Sequence, residues 1–249
     1  MIVLVTGATA GFGAAIARRF HGAGHKIIAA GRRADRLDAL ADELGRDTVH
    51  PLVLDVRDRD AVAAAIEGLP ADFAEIDLLV NNAGLALGLE PAQKADLDAW
   101  DQMVDTNVKG LMYVTRAVLP GMTTRNRGHV VNLGSVAASY PYPGGNVYGA
   151  TKAFVRQFSL NLRADLTGTR VRVTDIEPGL VGGTEFSNVR FKGDEDRVAK
   201  LYDGADALTP DDVAESVFWV ATLPARVNVN ALELMPVSQS FGALTVHRE

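Results

Sequence analysis

The sequence predicts an α/β fold, a doubly wound parallel sheet of about seven strands with helices on both faces. Short apolar runs at about residues 2–6, 26–31, 49–55, 76–81, 128–134 and 170–177 alternate with segments of helical periodicity. Strands separated by helices in this way pair in parallel. The first run, Met1-Ile-Val-Leu-Val5, passes through a glycine-rich turn straight into a helix-patterned segment, as a βαβ unit begins. A last strand is expected at about 231–236. No repeat or interdomain linker interrupts the pattern, so residues 1–249 are read as one domain, and a 47% apolar content suffices for one sizeable core.

The first turn, Thr6-Gly-Ala-Thr-Ala-Gly-Phe-Gly13, carries the strongest chemical signal. Gly7, Gly11 and Gly13 admit backbone angles closed to other residues and let a pyrophosphate approach the peptide amides of Thr9, Ala10 and Phe12. The helix that follows adds unpaired N–H groups and a positive dipole end. The alternative is a turn that only joins strand to helix. Its position, with a buried strand before it and a helix after it in the first βαβ unit, favours a Rossmann-type dinucleotide site.

The second strand ends in Gly31-Arg32-Arg33, where NAD-preferring folds place a carboxylate for the ribose hydroxyls. Two guanidinium groups there match a 2′-phosphate, so NADP is the expected cofactor. A merely solvated basic pair is the competing reading, and Asp35 close by leaves NAD open. Further on, Tyr148 and Lys152 stand four residues apart at the start of a helix-patterned segment, and Ser135 ends a strand-patterned one. Residues i and i+4 share a helix face, so the ammonium of Lys152 is expected to lower the pKa of the Tyr148 phenol. Ser135 could orient a substrate oxygen and stabilise charge growing on it. A Lys snorkelling beside an ordinary Tyr gives the same spacing.

Taken together these residues resemble the short-chain dehydrogenase/reductase family over the whole chain. Thr6–Gly13 matches its TGxxxGxG loop, Asn81-Asn82-Ala83-Gly84 its Asn-Asn-Ala-Gly segment, and Pro178-Gly179 its Pro-Gly turn. Within the family the chain is similar to the bacterial NADP-dependent 3-hydroxy acid dehydrogenases, through residues 144–158 and 177–186. The resemblance implies hydride transfer between the nicotinamide and the 3-hydroxy or 3-oxo carbon of small acids such as serine, allo-threonine and 3-hydroxypropionate. It implies Tyr148 as acid/base, Lys152 on the nicotinamide ribose, Ser135 on substrate and Asn107 on a relay water. To the cofactor it assigns Asp55, Val56, Asn82, Ala83, Gly84, Pro178, Gly179, Val181 and Thr184. Asp55 could instead cap the helix beginning near Arg57, and Asn107 could be a buried side chain satisfied by backbone. Other functions compatible with the resemblance are reduction of carrier-bound 3-oxoacyl groups or other ketones, and a non-catalytic dinucleotide sensor.

The irregular stretch at about 179–206 follows the sixth strand and is placed to close over the site as a substrate loop. Within it Arg190 is the candidate to grip a substrate carboxylate, with pairing to Glu185 or Asp194 as the alternative. Phe154, Phe158, Leu162 and Leu166 form an apolar stripe that either faces the sheet or, as in family members, joins the helix through 104–119 in a homotetramer. A net charge of −6 argues against nucleic acid or an anionic membrane as partner, and no apolar run approaches the ~20 residues of a membrane span. The absence of cysteine excludes disulfides and thiolate metal sites and fits a cytoplasmic enzyme. No metal site is expected: Gly22 and Gly24 break the helix that His21 and His25 would need, and His50, His129 and His247 lack evident ligand partners. Trp100 and Trp219 read as core or interface aromatics.

Overall fold

A computed structural model describes residues 1–242, so His247 lies outside the described residues. In chain order the elements are β1 (Ile2–Thr6), α1 (Gly11–His21), β2 (Lys26–Gly31), α2 (Ala34–Leu44), β3 (Val49–Val53), α3 (Arg59–Glu67) and β4 (Leu78–Asn81). There follow α4 (Leu97–Val104), α5 (Leu111–Thr124), β5 (Gly128–Leu133), α6 (Asn146–Asp165), β6 (Val171–Pro178), α7 (Phe186–Arg190), α8 (Glu195–Tyr202), α9 (Pro210–Thr222) and β7 (Ala231–Leu234).

The seven strands form one sheet in the order β3-β2-β1-β4-β5-β6-β7, and every pairing is parallel. Strand order reverses between β1 and β4, which opens a crevice beyond their carboxyl ends. Alternate strand residues feed two cores. Val3 and Val5 join Ile16 and Phe20 of α1, Leu37 of α2 and Val217 of α9 on one face. Leu4 joins Val62 of α3, Val114 and Val118 of α5, Leu162 of α6 and its C-cap Leu166 on the other. A strand buried on both faces has to be apolar at every position, which is why these strands read as continuous runs.

Three expectations change. The stretch expected to be irregular, 179–206, holds α7 and α8, and Asp194 caps α8 by accepting from Arg197 N at 3.1 Å. The acidic run Asp194-Glu195-Asp196 is therefore an N-cap and the first turn of a helix, not irregular chain. The helix through Asn107 is interrupted between α4 and α5 by a π-helical turn, Asp105–Gly110. The apolar stripe of α6 divides: Leu162 and Leu166 are buried in the second core and Phe158 packs against it, while Phe154 stacks on Phe158 with centroids 5.6 Å apart. α1 ends at His21 as expected, with Gly22 as its C-cap, and the His21 and His25 rings go separately to Thr48 and the terminal amine. Among the described residues no helix is long and apolar enough to cross a membrane.

Candidate active site

A cleft of about 350 Å³ lies at the carboxyl ends of the strands, floored by the glycine loop. Gly7 and Gly11 take φ of +68° and +51°, left-handed angles that exclude most side chains, and they line the cleft with Thr9, Ala10 and Phe12. Gly13 sits behind the wall: a β-carbon there would lie 2.3 Å from Gly7 O, so it serves the close packing of α1 on the loop. The loop is fixed from β4. The Thr6 hydroxyl accepts from Asn82 N and Ala83 N at 3.0 Å each, and Asn82 Nδ2 donates to Thr6 O at 2.8 Å. Asn82, Ala83 and Gly84 border the cleft as expected.

Arg32 and Arg33 both line the cleft, but their surroundings differ. Arg33 donates through Nη2 to Thr9 Oγ1 at 2.8 Å and through Nη1 to Glu185 at 2.9 Å, while Arg36 grips the other oxygen of Glu185 at 2.7 Å. These guanidinium groups hold the Glu185 carboxyl below its usual range. Arg32 has no ion pair or side-chain hydrogen bond among the described residues. Asp35 is exposed in the first turn of α2, away from the cleft, where it complements the helix dipole. Asp55 and Val56 line the cleft, and Asp55 accepts Arg57 Nη2 at 2.6 Å, which holds its carboxyl below the usual range. Asp58, not Asp55, caps α3, so capping does not explain Asp55.

At the other end of the cleft Tyr148 and Lys152 lie on the first turns of α6, each only 8% exposed. Lys152 Nζ donates to Leu133 O at 2.7 Å and stands 5.9 Å from the Tyr148 ring centroid. Burial pushes the Tyr148 phenol up to about 12, against the opposing pull of the Ser135 hydroxyl and the Arg190 charge. Burial likewise pushes Lys152 down to about 8, with Asp175 acting against it. The expected lowering of the phenol by Lys152 is thus absent in this structure. Desolvation opposes both ionised forms, and the ammonium is directed at a carbonyl.

Ser135 Oγ accepts from Ala137 N at 3.1 Å and faces Pro178 O at 3.5 Å. The side chain of Asn107 makes three hydrogen bonds: Oδ1 accepts from Leu85 N at 2.9 Å, and Nδ2 donates to Leu85 O at 2.9 Å and Thr151 Oγ1 at 3.1 Å. It therefore clamps the strand-end loop against α6. Thr184 lines the cleft above Gly11. Pro178, Gly179 and Val181 are not among the residues lining the cleft; Gly179 N donates to Leu234 O at 2.7 Å, and Val181 is buried in the first core.

Arg190 pairs with neither Glu185 nor Asp194. Its Nη2 donates to Tyr142 Oη at 2.7 Å, Nε donates to Gly88 O at 3.3 Å, and Cζ stands 5.5 Å from the Tyr148 centroid. Tyr142 and Glu185 are thereby added to the site. Tyr142 sits in a proline-flanked aromatic turn between Ser135 and Tyr148, a signal legible in sequence; Glu185 offers none beyond its charge.

A sheet split at β1 and β4, a glycine loop at the split and a Ser/Tyr/Lys set beside it define a dinucleotide-dependent oxidoreductase domain. The chain belongs to the short-chain dehydrogenase family, whose pattern, described as short chain dehydrogenase, matches residues 1–195. It is 68% identical over 248 residues, 100% of both chains, to the NADP-dependent 3-hydroxy acid dehydrogenase YdfG of Salmonella typhi. It is 54% identical to the serine 3-dehydrogenase of Agrobacterium fabrum, over 99% of this chain and 98% of the relative. The solved closed form of serine dehydrogenase complexed with NADP+ superposes with a TM-score of 0.98 at 66% identity, covering 100% of both chains.

Proposed function

We infer that the chain is an NADP-dependent dehydrogenase that transfers a hydride between the nicotinamide and the 3-hydroxy or 3-oxo carbon of small 3-hydroxy acids. Serine, allo-threonine and 3-hydroxypropionate are the substrate type. The observation that carries this reading is the Arg190 guanidinium 5.5 Å from the ring of Tyr148, a cation beside the acid/base where a carboxylate substrate needs one. The names of the relatives support both the cofactor and the substrate class.

The residues fit the cofactor. The glycine loop can hold a pyrophosphate at the start of α1, Asp55 and Val56 border the adenosine end, and Arg32 offers a guanidinium with no ion-pair partner among the described residues. Bound NADP would supply the two-electron donor or acceptor and, when oxidised, a positive charge on its nicotinamide. Tyr148 keeps its proton at neutral pH and is ready to protonate an alkoxide during reduction; as a base it needs added positive charge nearby, which Arg190 supplies in part. Ser135 would hold the reacting oxygen, and Lys152 the nicotinamide ribose. Asn107, with both amide hydrogens donated to Leu85 and Thr151, would serve a relay water as an acceptor only. Residues 179–206, carrying Thr184, Glu185 and Arg190, form the substrate loop.

The enzyme is further read as cytoplasmic and homotetrameric. Exposed Met112 on α5 and Leu160 on α6 support pairing of these helices across a two-fold axis, as does the family resemblance. Sedimentation at micromolar concentration is expected to show a tetramer; a monomer alone would remove this part of the reading.

Three substitutions test the site. Tyr148→Phe is expected to lower kcat for NADP+-dependent oxidation of serine by ~10² or more with cofactor binding little changed. Retention of over about a tenth of wild-type kcat would exclude Tyr148 as the acid/base. Replacing Arg32 and Arg33 together by Ala is expected to weaken NADP binding by ~3 kcal/mol or more and NAD binding much less. Equal losses for the two cofactors would mean that the pair serves structure. Arg190→Ala is expected to cost about 2 kcal/mol or more in kcat/KM for serine but little for a neutral secondary alcohol. Equal losses on both substrates would rule out the carboxylate grip.

A further inference from the structure

β6 carries two carboxylates that the proposed chemistry does not use. Asp175 and Glu177 are two residues apart on one face of the strand and each is 1% exposed. Neither Asp175 oxygen, nor Glu177 Oε1, has a hydrogen-bond partner among the described residues. The Asp175 carboxyl rests on Gly134, where a β-carbon would lie 2.5 Å from Oδ1, and the neighbouring residue Leu133 accepts the Lys152 ammonium at 2.7 Å. The lack of a side chain at 134 thus lets Asp175 come up beside the anchoring point of Lys152.

The charged groups around the pair are few. α6 contributes Lys152 and Arg156, and Arg156 Nε stands 3.6 Å from Glu177 Oε1. β7 contributes Glu233, whose carboxylate accepts from Tyr140 Oη at 3.2 Å. β5 presents Gly134 and Asn132, and the Asn132 amide is engaged by Asn81 and Ser159. Two adjacent buried carboxylates cannot both ionise cheaply, and oxygens left without donors make that worse. A proton between them satisfies one oxygen on each and leaves a single negative charge. In keeping with this, burial and the neighbouring Glu177 push Asp175 up to about 8, and burial raises Glu177 as well.

We propose that Asp175 and Glu177 share one proton and act as a single-charge counterion that keeps Lys152 an ammonium, making them positioning residues that work through Lys152. The proposal rests on the catalytic reading only for its consequence, because the state of Lys152 can be observed without substrate. Without a negative charge nearby, an ammonium that is 8% exposed loses its proton readily. The sign follows for each variant. Asp175→Asn leaves the charge on Glu177, on the Arg156 side, so Lys152 deprotonates at lower pH. Glu177→Gln removes the competing carboxylate, so Asp175 ionises fully beside Lys152 and Lys152 deprotonates at higher pH.

The test uses full-length protein carrying ¹³Cε-lysine, with the Lys152 resonance assigned by its loss in Lys152→Arg. In Asp175→Asn its titration midpoint is expected to fall by about one pH unit, and in Glu177→Gln to rise. The alkaline limb of the kcat profile for serine oxidation is expected to move in the same directions. A midpoint unmoved in both variants, or moved the same way in both, overturns the proposal. Should Asp175→Asn fail to fold, an unmoved midpoint in Glu177→Gln overturns it alone. Wild-type inactivity on 3-hydroxy acids would instead count against the substrate reading and leave the resonance to decide this one.

Discussion

The contact between the Lys152 ammonium and the Leu133 carbonyl joins the first turns of α6 to the end of β5, and the site is organised around it. Burying an ammonium costs several kcal/mol unless it is hydrogen-bonded and has a counter-charge nearby. The carbonyl meets the first need and the acidic pair on β6 the second. Once Lys152 is fixed, the i+4 relation fixes Tyr148 one turn earlier. Asn107 and Thr151 then tie the same helix to the loop after β4 that borders the cofactor cleft.

At the far end of the cleft a different electrostatic arrangement holds. Glu185 is clasped by Arg33 and Arg36, which fastens the segment leading into α7 to the start of α2. These groups are 41–45% exposed, so each pair contributes little to stability by itself. Their importance is geometric. The segment that carries Thr184 and Arg190 is anchored at the side of the cleft that Arg32 and Arg33 line, so the placement of that segment and the charge at this end of the cleft depend on the same residues.

Much of this was legible in sequence, for a definite physical reason. Strands buried on both faces leave continuous apolar runs, and a glycine loop between strand and helix has few other uses. The parallel pairing of the strands, the Arg32–Arg33 pair and the Ser135, Tyr148, Lys152 set follow from position along those elements; the strand order does not. What escaped is whatever depends on a partner far away in sequence. For Asn107 the sequence leaves open a relay role or a buried amide satisfied by backbone, and the partners that show the second, Leu85 at 22 residues' separation and Thr151 at 44, are not legible from its own neighbourhood. Helix α7 spans only five residues and α8 only eight with none of them buried, so neither leaves an apolar stripe of ordinary width in the sequence. The phenol was expected to be lowered by Lys152 because i+4 spacing says that two groups are near; it does not say that both are desolvated, which is the larger effect here.

These two pKa movements have a common consequence for specificity. With Tyr148 raised toward 12 and Lys152 lowered toward 8, the phenol is neutral at neutral pH and the Lys152 ammonium is held to the Leu133 carbonyl. Arg190 is the cation that faces Tyr148 from the loop, and its side-chain acceptors are neutral: the Tyr142 hydroxyl and the Gly88 carbonyl. A half-buried guanidinium with only neutral partners is left short of a counter-charge, a state that costs more the less water reaches it. A carboxylate brings that counter-charge with it, whereas a plain alcohol leaves the cation uncompensated. Under the proposed function, discrimination in favour of acids is then a difference in what is left unpaired beside Tyr148, and not only the strength of one new ion pair.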